Sequence, residues 1–325
     1  MTDARGTFEH ALFSEPRPEH GYCTDDMARV LVVATREPDA ASAVRDLALL
    51  SVRFLQEALD GQGKCRNRMD QNGVWEDRPA LDDCWGRSIW GLGTAASRSD
   101  DLLIAELTRN GLERAMSQRS RWPRAMAFAA LGAAKILSVD PDNTAARSLL
   151  SDAADSMTGP RHDAAWPWPE PRLTYANATL PEAMIAAGSV LDRPVLLSRG
   201  LDLLEWLFAR ETRHGHLSVT PVGGSGPADR APGFDQQPIE VAALADACAF
   251  ALDVDGSRRW TDGITAATDW FLGDNDGGVL MCDPHTGGGL DGLQRCGANL
   301  NQGTESTLAF LSTMQQARRT ARVRQ

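Results

Sequence analysis

Six short polar stretches, each followed directly by an apolar segment rich in small residues, recur along the 325-residue chain. These openings and the starts of their apolar segments lie at residues 20–29, 81–87, 120–127, 173–184, 234–244 and 299–310. Within the segments, apolar residues recur at intervals of three and four, which indicates helices rather than strands. One polar stretch before a helix can be a cap, but six of them predict that six helix starts converge on one place.

Each of the first five apolar helices is followed by a second helix that carries charges on one face. The first pair is MARVLVVAT with ASAVRDLALLSVRFLQEAL, and four similar pairs precede a final apolar helix, ESTLAFLSTMQQA. A helix that is apolar all round is buried, whereas an amphipathic helix faces water on one side. Repeated pairs of this kind predict an all-α (α/α)6 toroid of helical hairpins, with long loops at the mouth of the inner helices. An open α-solenoid is the alternative.

The count of helices leaves one question about the chain as a whole. Six inner helices are evident but only five clear outer ones, so either the N-terminal twenty residues supply part of the last wall or a preceding segment is missing. A hydrophobic content of 42% is enough for a large core. The sequence therefore predicts one toroid domain over residues 1–325, with about 1–19 and 318–325 flexible or peripheral.

Charge and hydropathy restrict the partners of the protein. The formal net charge of −11 argues against nucleic acids and anionic membranes, and favours neutral or cationic ligands. The sequence has no apolar run of eighteen residues, and its first twenty residues lack the basic and apolar regions of a signal peptide. These features predict a soluble, cytoplasmic protein.

The cysteines and histidines give no pattern typical of a metal site. Six cysteines are dispersed without a CxxC pair or a histidine at metal spacing, which predicts reduced, structural thiols. Histidines are nearly absent from the helix openings, where only His20 occurs. We therefore expect neither a metal nor another cofactor.

The loops between the helices are long and rich in aromatic and polar residues, which is typical of functional loops. In the WPWPEP run, three prolines hold Trp166 and Trp168 in an extended segment. A flat indole face on a rigid rim can stack against a sugar ring, although tryptophan is also a common lid over a core. The run thus predicts Trp168 as a sugar-stacking residue.

Several motifs together carry a family resemblance. They are the Asp-Asp opening, W-E-D followed by D-x-x-G-R, F-D-Q-Q-P-I-E, D-P-x-T-G-G-G-x-D-G-L and N-x-N-Q-G-T-E-S-T-L-A-F-L. From about residue 20 to 312 the chain resembles the six-hairpin glycosidase-like proteins, and within them an uncharacterised branch often described as glycosyltransferase-associated. The resemblance implies the (α/α)6 fold, and it implies a glycosyltransferase domain or protein as a partner. Relatives tend to read D-S-H-G-R where this chain has Asp83 to Arg87 with Trp85 in place of the histidine.

Glycoside hydrolysis needs two carboxyl groups, one to protonate the leaving oxygen and one to act as nucleophile or to activate water. The openings offer Asp26, Asp83, Glu240 and Glu305, which we predict as the catalytic candidates. A helix N-terminus stabilises a carboxylate in its charged form, which suits a base or nucleophile. The same residues can also be helix caps or ordinary first-turn acids, and Pro181-Glu182 is typical of such a helix start.

The polar residues around these acids are more numerous than a helix cap requires, and they match the hydroxyl groups of a sugar. Arg29 lies four residues after Asp25, and Arg87 four after Asp83, so each pair shares a helical face. These arginines bind an anionic ligand group or form intrahelical ion pairs. The predicted substrate-binding residues are Asp25, Arg29, Trp85, Arg87, Trp168, Tyr175, Asn177, Glu182, Asp235, Gln236, Gln237, Asp283, Asp291, Asn301 and Gln302.

Three functions remain open from the sequence. The first is a glycoside hydrolase, or a related carbohydrate-active enzyme such as a phosphorylase, with an oligosaccharide or glycoside as substrate. The second is a non-catalytic glycan-binding domain that serves a glycosyltransferase. The third is a sugar epimerase of the N-acylglucosamine 2-epimerase type, whose chemistry is usually associated with inner-helix histidines that this chain lacks.

Overall fold

A computed structural model describes residues 1–99, 101–109, 111–157, 165–229 and 232–323. The described residues form helices and four two-stranded sheets of very short strands. The chain divides into two compact units. Unit 1 comprises Met1–Ala11, Glu15–Met157 and Val190–Arg193, and unit 2 comprises Leu12–Ser14, Thr158–Ser189 and Pro194–Gln325.

Unit 1 contains the first seven helices. They are α1 (Thr24–Arg36), α2 (Ser42–Ala58), α3 (Asp83–Arg98), α4 (Leu102–Arg109), α5 (Leu112–Met116), α6 (Pro123–Val139) and α7 (Thr144–Ser156). The sequence predicts one continuous helix over 102–117, but α4 and α5 are separate. Gly111 adopts a φ of +74° at the start of α5, a left-handed conformation that a helix does not contain.

Glycine and alanine bring α3 and α6 unusually close together. A Cβ atom placed on Gly86 would lie 2.1 Å from the carbonyl oxygen of Ala125, and one on Gly132 would lie 2.2 Å from that of Ile89. Only a residue without a side chain allows the two backbones to approach so closely. The small residues of the apolar helices therefore serve helix packing.

Unit 2 contains the remaining helices and two hairpins. The helices are α8 (Thr179–Val190), α9 (Pro194–Arg210), α10 (Pro238–Asp255), α11 (Arg258–Phe271) and α12 (Thr304–Val323). Helix α10 is buried on nearly all sides, whereas α11 buries one face that includes Trp260, Ile264, Ala267 and Trp270. This contrast is the one predicted for the first and second helices of a pair.

The short strands lie in the segments that connect the helices. They are β1 (Ala11–Leu12), β2 (Glu15–Pro16), β3 (Tyr22–Cys23), β4 (Arg68–Met69), β5 (Thr212–Arg213), β6 (His216–Leu217), β7 (Gly292–Gln294) and β8 (Gly297–Asn299). Strand β3 pairs with β4, β5 with β6 and β7 with β8, all antiparallel. The two later hairpins order parts of the long loops that precede α10 and α12.

The predicted helix pairs are present. The first helices are α1, α3, α6, α8, α10 and α12, and their second helices are α2, α4 with α5, α7, α9 and α11. The first twenty residues contain strands and a 3-10 turn instead of a further helix, and Phe8 stacks on Tyr22 within unit 1. The single domain and its peripheral ends stay predictions.

The structure also shows the state of the cysteines and the apolar character of the helices. All six cysteines lie in the described ranges as free thiols, and Cys296 is the exposed one. Among the described helices, none combines the length and the apolar character that crossing a membrane requires.

Candidate functional site

The first turn of α1 contains a buried ion pair. Arg29 Nη1 donates to Asp26 Oδ1 at 2.6 Å, and both side chains are buried. The neighbouring Asp25 has 22% of its side chain exposed, because adjacent helical residues point about 100° apart. Asp26 thus has a charged partner inside the protein, while Asp25 reaches the surface.

Arg87 connects α3 to two neighbouring helices. Its Nε lies 3.5 Å from Asp25 Oδ1 on α1, and its guanidinium carbon lies 4.2 Å from the ring centre of Phe128 on α6. Arg29 likewise pairs with Asp26, three residues earlier, rather than at the predicted spacing of four. Arg29 therefore stabilises a buried acid and Arg87 contributes to helix packing, with partners other than those that the sequence spacing predicts.

Two further residues of the second opening lie at different depths. Trp85 is completely buried, and its Nε1 donates to the carbonyl oxygen of Ala115 at 3.1 Å. Asp83, the first residue of α3, is half-buried. The indole of Trp85 is thus engaged in core packing, whereas the Asp83 carboxyl remains partly accessible.

Glu9, Cys23 and Asp26 are close enough for one atom of each to contact a common ion. The Asp26 N–H donates to Cys23 Sγ at 3.4 Å. Burial, with a further contribution from the charge of Asp26, raises the pKa of the Cys23 thiol well above its usual value. A protonated thiol is a poor metal ligand, and Asp26 already pairs with Arg29. We therefore assign this cluster a structural role.

In unit 2, Glu240 of α10 holds the segment that precedes α8. Its carboxylate accepts hydrogen bonds from the main-chain N–H groups of Ala176 and Asn177, and from the Asn177 side-chain amide at 2.9 Å. Asn177 Oδ1 in turn accepts from the Thr174 N–H. Both Glu240 and Asn177 are buried, so they fix a loop instead of presenting polar atoms to a ligand.

Gln236 belongs to a second buried network in unit 2. Its side-chain amide donates to Asp276 Oδ2 at 2.6 Å and accepts from Trp270 Nε1 at 3.2 Å. Its main chain forms a two-way hydrogen-bonded bridge with Leu293. Every polar group of Gln236 therefore has a protein partner, and the side chain is inaccessible.

The same network ends at a histidine outside the helix openings. His216 lies in β6, its side chain is 17% exposed, and its Nε2 is 3.1 Å from Asp276 Oδ1. Burial acts to raise the pKa of Asp276, but the polar side chains around it, Ser218, His216 and Gln236, lower it below its usual value. An imidazole oriented by an ionised carboxylate is a common acid–base arrangement. No sequence signal links His216 to Asp276, because 60 residues separate them.

The polar residues before α12 hold one another. Gln302 accepts from Thr286 Oγ1 at 2.7 Å and donates to Asp283 Oδ2 at 3.1 Å. The His285 N–H, followed by these side-chain contacts, lowers the pKa of Asp283. Asp291 accepts from the Gly303 N–H at 2.8 Å. These hydrogen bonds order the long loop between α11 and α12.

Asn301 has a partner at the opposite end of the sequence. Its Oδ1 accepts from the Phe13 N–H, and the Gln302 N–H donates to the Phe13 carbonyl oxygen, both at 2.9 Å. Phe13 belongs to the same compact unit as α12. The side-chain amide of Asn301, which the sequence predicts to bind a sugar, thus binds a protein backbone, while that of Gln302 contacts the side chains of Thr286 and Asp283.

The tryptophans of the WPWPEP run pack against α9. Trp168 is buried and stacks on Trp206 with ring centres 6.1 Å apart, and Trp166 meets the same ring edge-on at 5.2 Å. Trp168 Nε1 also approaches Glu170 at 3.3 Å. Of the two sequence alternatives, this geometry favours the lid over a core.

The remaining predicted residues differ in exposure. Glu182 is buried, and its charge adds to the burial that raises the pKa of the Cys248 thiol. Tyr175 is exposed in the loop that Glu240 fixes. The half-buried residues at the openings of unit 2 are Asp235, Gln237 and Glu305, and Glu305 lies in the first turn of α12. Partly exposed carboxyl groups therefore remain at the starts of α3, α10 and α12.

Searches of protein-family models and of curated proteins give no match to this chain. Solved structures do match over nearly the whole chain. A sugar epimerase from a ruminal bacterium has 13% identity and a TM-score of 0.71, covering 98% of this chain and 93% of its own. Cellobiose 2-epimerase from Spirochaeta thermophila has 14% identity and a TM-score of 0.69, with coverages of 99% and 92%.

A similar match extends to a glycosidase. The GH76 α-mannanase from Bacteroides thetaiotaomicron has 12% identity and a TM-score of 0.63, covering 93% of this chain and 87% of its own. At these identities the comparisons establish the fold alone. The predicted all-α (α/α)6 fold is confirmed. The narrower, glycosyltransferase-associated branch stays a prediction.

Proposed function

We propose that this protein is a carbohydrate-active enzyme, and more narrowly a glycoside hydrolase, with Asp83 of unit 1 and Glu305 of unit 2 each a candidate for the carboxyl chemistry. The choice of these residues depends on their exposure. Of the four predicted catalytic acids, Asp26 and Glu240 are buried against protein partners, whereas Asp83 and Glu305 are partly exposed. A group that transfers a proton to a substrate must be able to contact it.

The structural neighbours support a sugar as the substrate. Their names describe two epimerases and a mannanase, which differ in reaction but all act on carbohydrates. The partly exposed polar residues at the helix starts, Asp25, Asp235 and Gln237, offer oxygen and nitrogen atoms to sugar hydroxyls. Tyr175 offers an exposed ring and hydroxyl group.

Hydrolysis needs carboxyl groups in two roles. One carboxylic acid protonates the glycosidic oxygen as the bond to the anomeric carbon breaks, and the other carboxylate attacks that carbon or removes a proton from the attacking water. Both Asp83 and Glu305 lie in a helix first turn, where the backbone dipoles stabilise a negative charge. This environment suits the nucleophile or base.

The test is a substrate screen that distinguishes three outcomes. The purified protein is incubated in D2O with manno-, gluco- and galacto-oligosaccharides, and the products are analysed by chromatography and NMR. Hydrolysis gives shorter sugars, and the proposal expects this result, with loss of activity in Asp83→Asn and Glu305→Gln. Binding without any product contradicts the proposal and supports the accessory glycan-binding domain.

A second candidate function, sugar epimerisation, is favoured by the contact between His216 and Asp276. Epimerisation next to a carbonyl removes a proton from carbon and returns it to the other face, which requires a base such as imidazole. In the same screen it yields a sugar of unchanged length with deuterium on that carbon. Loss of this exchange in His216→Gln, with Asp83→Asn still active, would replace the hydrolase by the epimerase.

A further inference from the structure

Phe13 has a conformation and an exposure that folding alone does not explain. It lies between β1 and β2 with a φ of +51°, and 57% of its surface is exposed. A left-handed φ is costly for a bulky side chain, and an exposed phenyl ring gains little from burial. Glycine or asparagine would satisfy this turn better.

The backbone of Phe13 is fixed on both sides by the residues that precede α12. Asn301 Oδ1 accepts its N–H and the Gln302 N–H donates to its carbonyl oxygen. Gln302 is itself anchored through its side chain to Asp283. The backbone of Phe13 is therefore held by the residues that directly precede α12, the helix whose first turn contains Glu305.

A similar arrangement occurs at the start of α8. Ala176 has a φ of +44°, and Glu240 accepts hydrogen bonds from Ala176 and from the neighbouring Asn177. The adjacent Tyr175 has 45% of its surface exposed. Two places in unit 2 thus combine a strained residue other than glycine, a polar clamp and an exposed aromatic ring. They are the Phe13 turn, which the residues before α12 hold, and the segment before α8. Strained residues of this kind concentrate at ligand-binding sites.

We infer that Phe13 is an aromatic platform on which a pyranose ring of the substrate stacks, and that Asn301 and Gln302 are its positioning residues. This inference rests on the proposed function. One face of a pyranose presents C–H groups, which pack against the flat ring of an aromatic side chain. The ring brings no counter-ion for a charged ligand, which is compatible with a neutral sugar. Asn301, through its side-chain amide, and Gln302, through its main-chain N–H, then act on the sugar through Phe13.

The test compares sugar affinity among variants of the full chain. Calorimetric titrations with cellotriose, mannotriose and galactotriose are made for the wild type, Phe13→Ala, Phe13→Trp and Leu12→Ala. We expect Phe13→Ala to bind the preferred sugar roughly five- to tenfold more weakly, which is the contribution of one aromatic contact. Phe13→Trp should keep the wild-type affinity. Leu12→Ala is the matched control, because Leu12 is 56% exposed in the neighbouring position.

A spectroscopic signal tests the role of Asn301. In the Phe13→Trp background, sugar binding should change the emission of the added indole relative to the wild type. Asn301→Leu, which lacks the acceptor, should abolish that change, and Asn301→Asp, which retains it, should restore it. Chemical unfolding of each variant separates these effects from loss of the fold.

Two results would overturn the inference in different ways. If the wild type binds a sugar and Phe13→Ala binds it within twofold, the platform is wrong and the proposed function survives. If the wild type binds none of the three sugars, the proposed function fails together with the platform. A change of molecular mass in Phe13→Ala by light scattering, with unchanged sugar affinity, would instead make this surface an interface between copies of the chain.

Discussion

Glu240 Oε2 accepts two hydrogen bonds from Asn177, one from the main-chain N–H at 3.1 Å and one from the side-chain amide at 2.9 Å. The other carboxylate oxygen accepts from the Ala176 N–H. A residue that the sequence offers as an acid or base is thereby the clamp of a loop that presents Tyr175. Glu240 is therefore expected to contribute to stability, whereas Glu305 is proposed to act on the substrate. This difference can be measured.

Glu240→Gln should lower the free energy of unfolding by about 1–3 kcal/mol, because one carboxylate oxygen becomes an amide group that faces N–H donors. Glu305→Gln is the matched substitution at a partly exposed first-turn site, where the loss should be about 0.3–1 kcal/mol. Urea unfolding of both variants checks this prediction. Equal losses in the two variants would contradict it.

Glu211 predicts a pH dependence of stability. Burial raises its pKa to about 7, against hydrogen bonds from Thr220 and the charge of Arg210, which act to lower it. The folded state therefore retains a proton that the unfolded chain releases near the ordinary glutamate pKa of 4.5. Stability should fall as the pH rises from about 4.5 to about 7, and then level off, by roughly 3 kcal/mol in total.

Glu211→Gln should remove most of this slope, because an amide does not titrate. Between about pH 4.5 and about pH 7, the free energy of unfolding of the variant should therefore rise relative to that of the wild type. Urea unfolding at half-unit pH intervals measures both curves. Glu205→Gln, at an exposed position on α9, is the control and should leave the slope unchanged. A wild-type slope that persists in Glu211→Gln would contradict the assignment.

Gly86→Ala should separate α3 from α6. The added Cβ would lie 2.1 Å from the Ala125 carbonyl oxygen, so a backbone must move, at a cost of about 1–3 kcal/mol or more. Gly61→Ala is the control, because no heavy atom lies within 4 Å of its added Cβ. Thermal unfolding should show a lower midpoint for Gly86→Ala only. Equal midpoints would show that the close approach of the helices is not required.

Trp168 and Tyr175 should respond in opposite ways to truncation. Trp168→Ala removes a buried ring that stacks on Trp206, so it should cost about 3–5 kcal/mol of stability. Tyr175→Ala, at an exposed position, should leave stability within about 0.5 kcal/mol and weaken sugar binding. Unfolding and titration of the folded variants are the measurements. A Tyr175→Ala variant with unaltered sugar affinity would remove Tyr175 from the site.

The helices were accessible from the sequence because their periodicity is local. Helix α6, whose start the sequence predicts within 120–127, extends from Pro123 to Val139. The positions of polar side chains were not accessible in the same way. Trp168 is buried by Trp206 and Gln236 by Asp276 and Trp270, and nothing near either residue in the sequence reveals these partners.

The site residues show the same limit. A cluster of amides before a helix has the same composition whether it binds a sugar or a backbone, and Asn301 binds Phe13, which lies 288 residues away. The left-handed φ of Phe13 likewise has no signature in the segment HALFSEP, since the usual marker of that conformation is glycine. Exposure, the property that separates Glu305 from Glu240, depends on such long-range contacts.

Glu305, not Glu240, is the residue proposed to act on the substrate. The most direct measurement is kcat for Glu305→Gln and Glu240→Gln on the oligosaccharide that the wild type processes, at a temperature where both variants are folded. We predict a fall of about a hundredfold or more for Glu305→Gln and less than tenfold for Glu240→Gln. Wild-type turnover by Glu305→Gln would contradict the account.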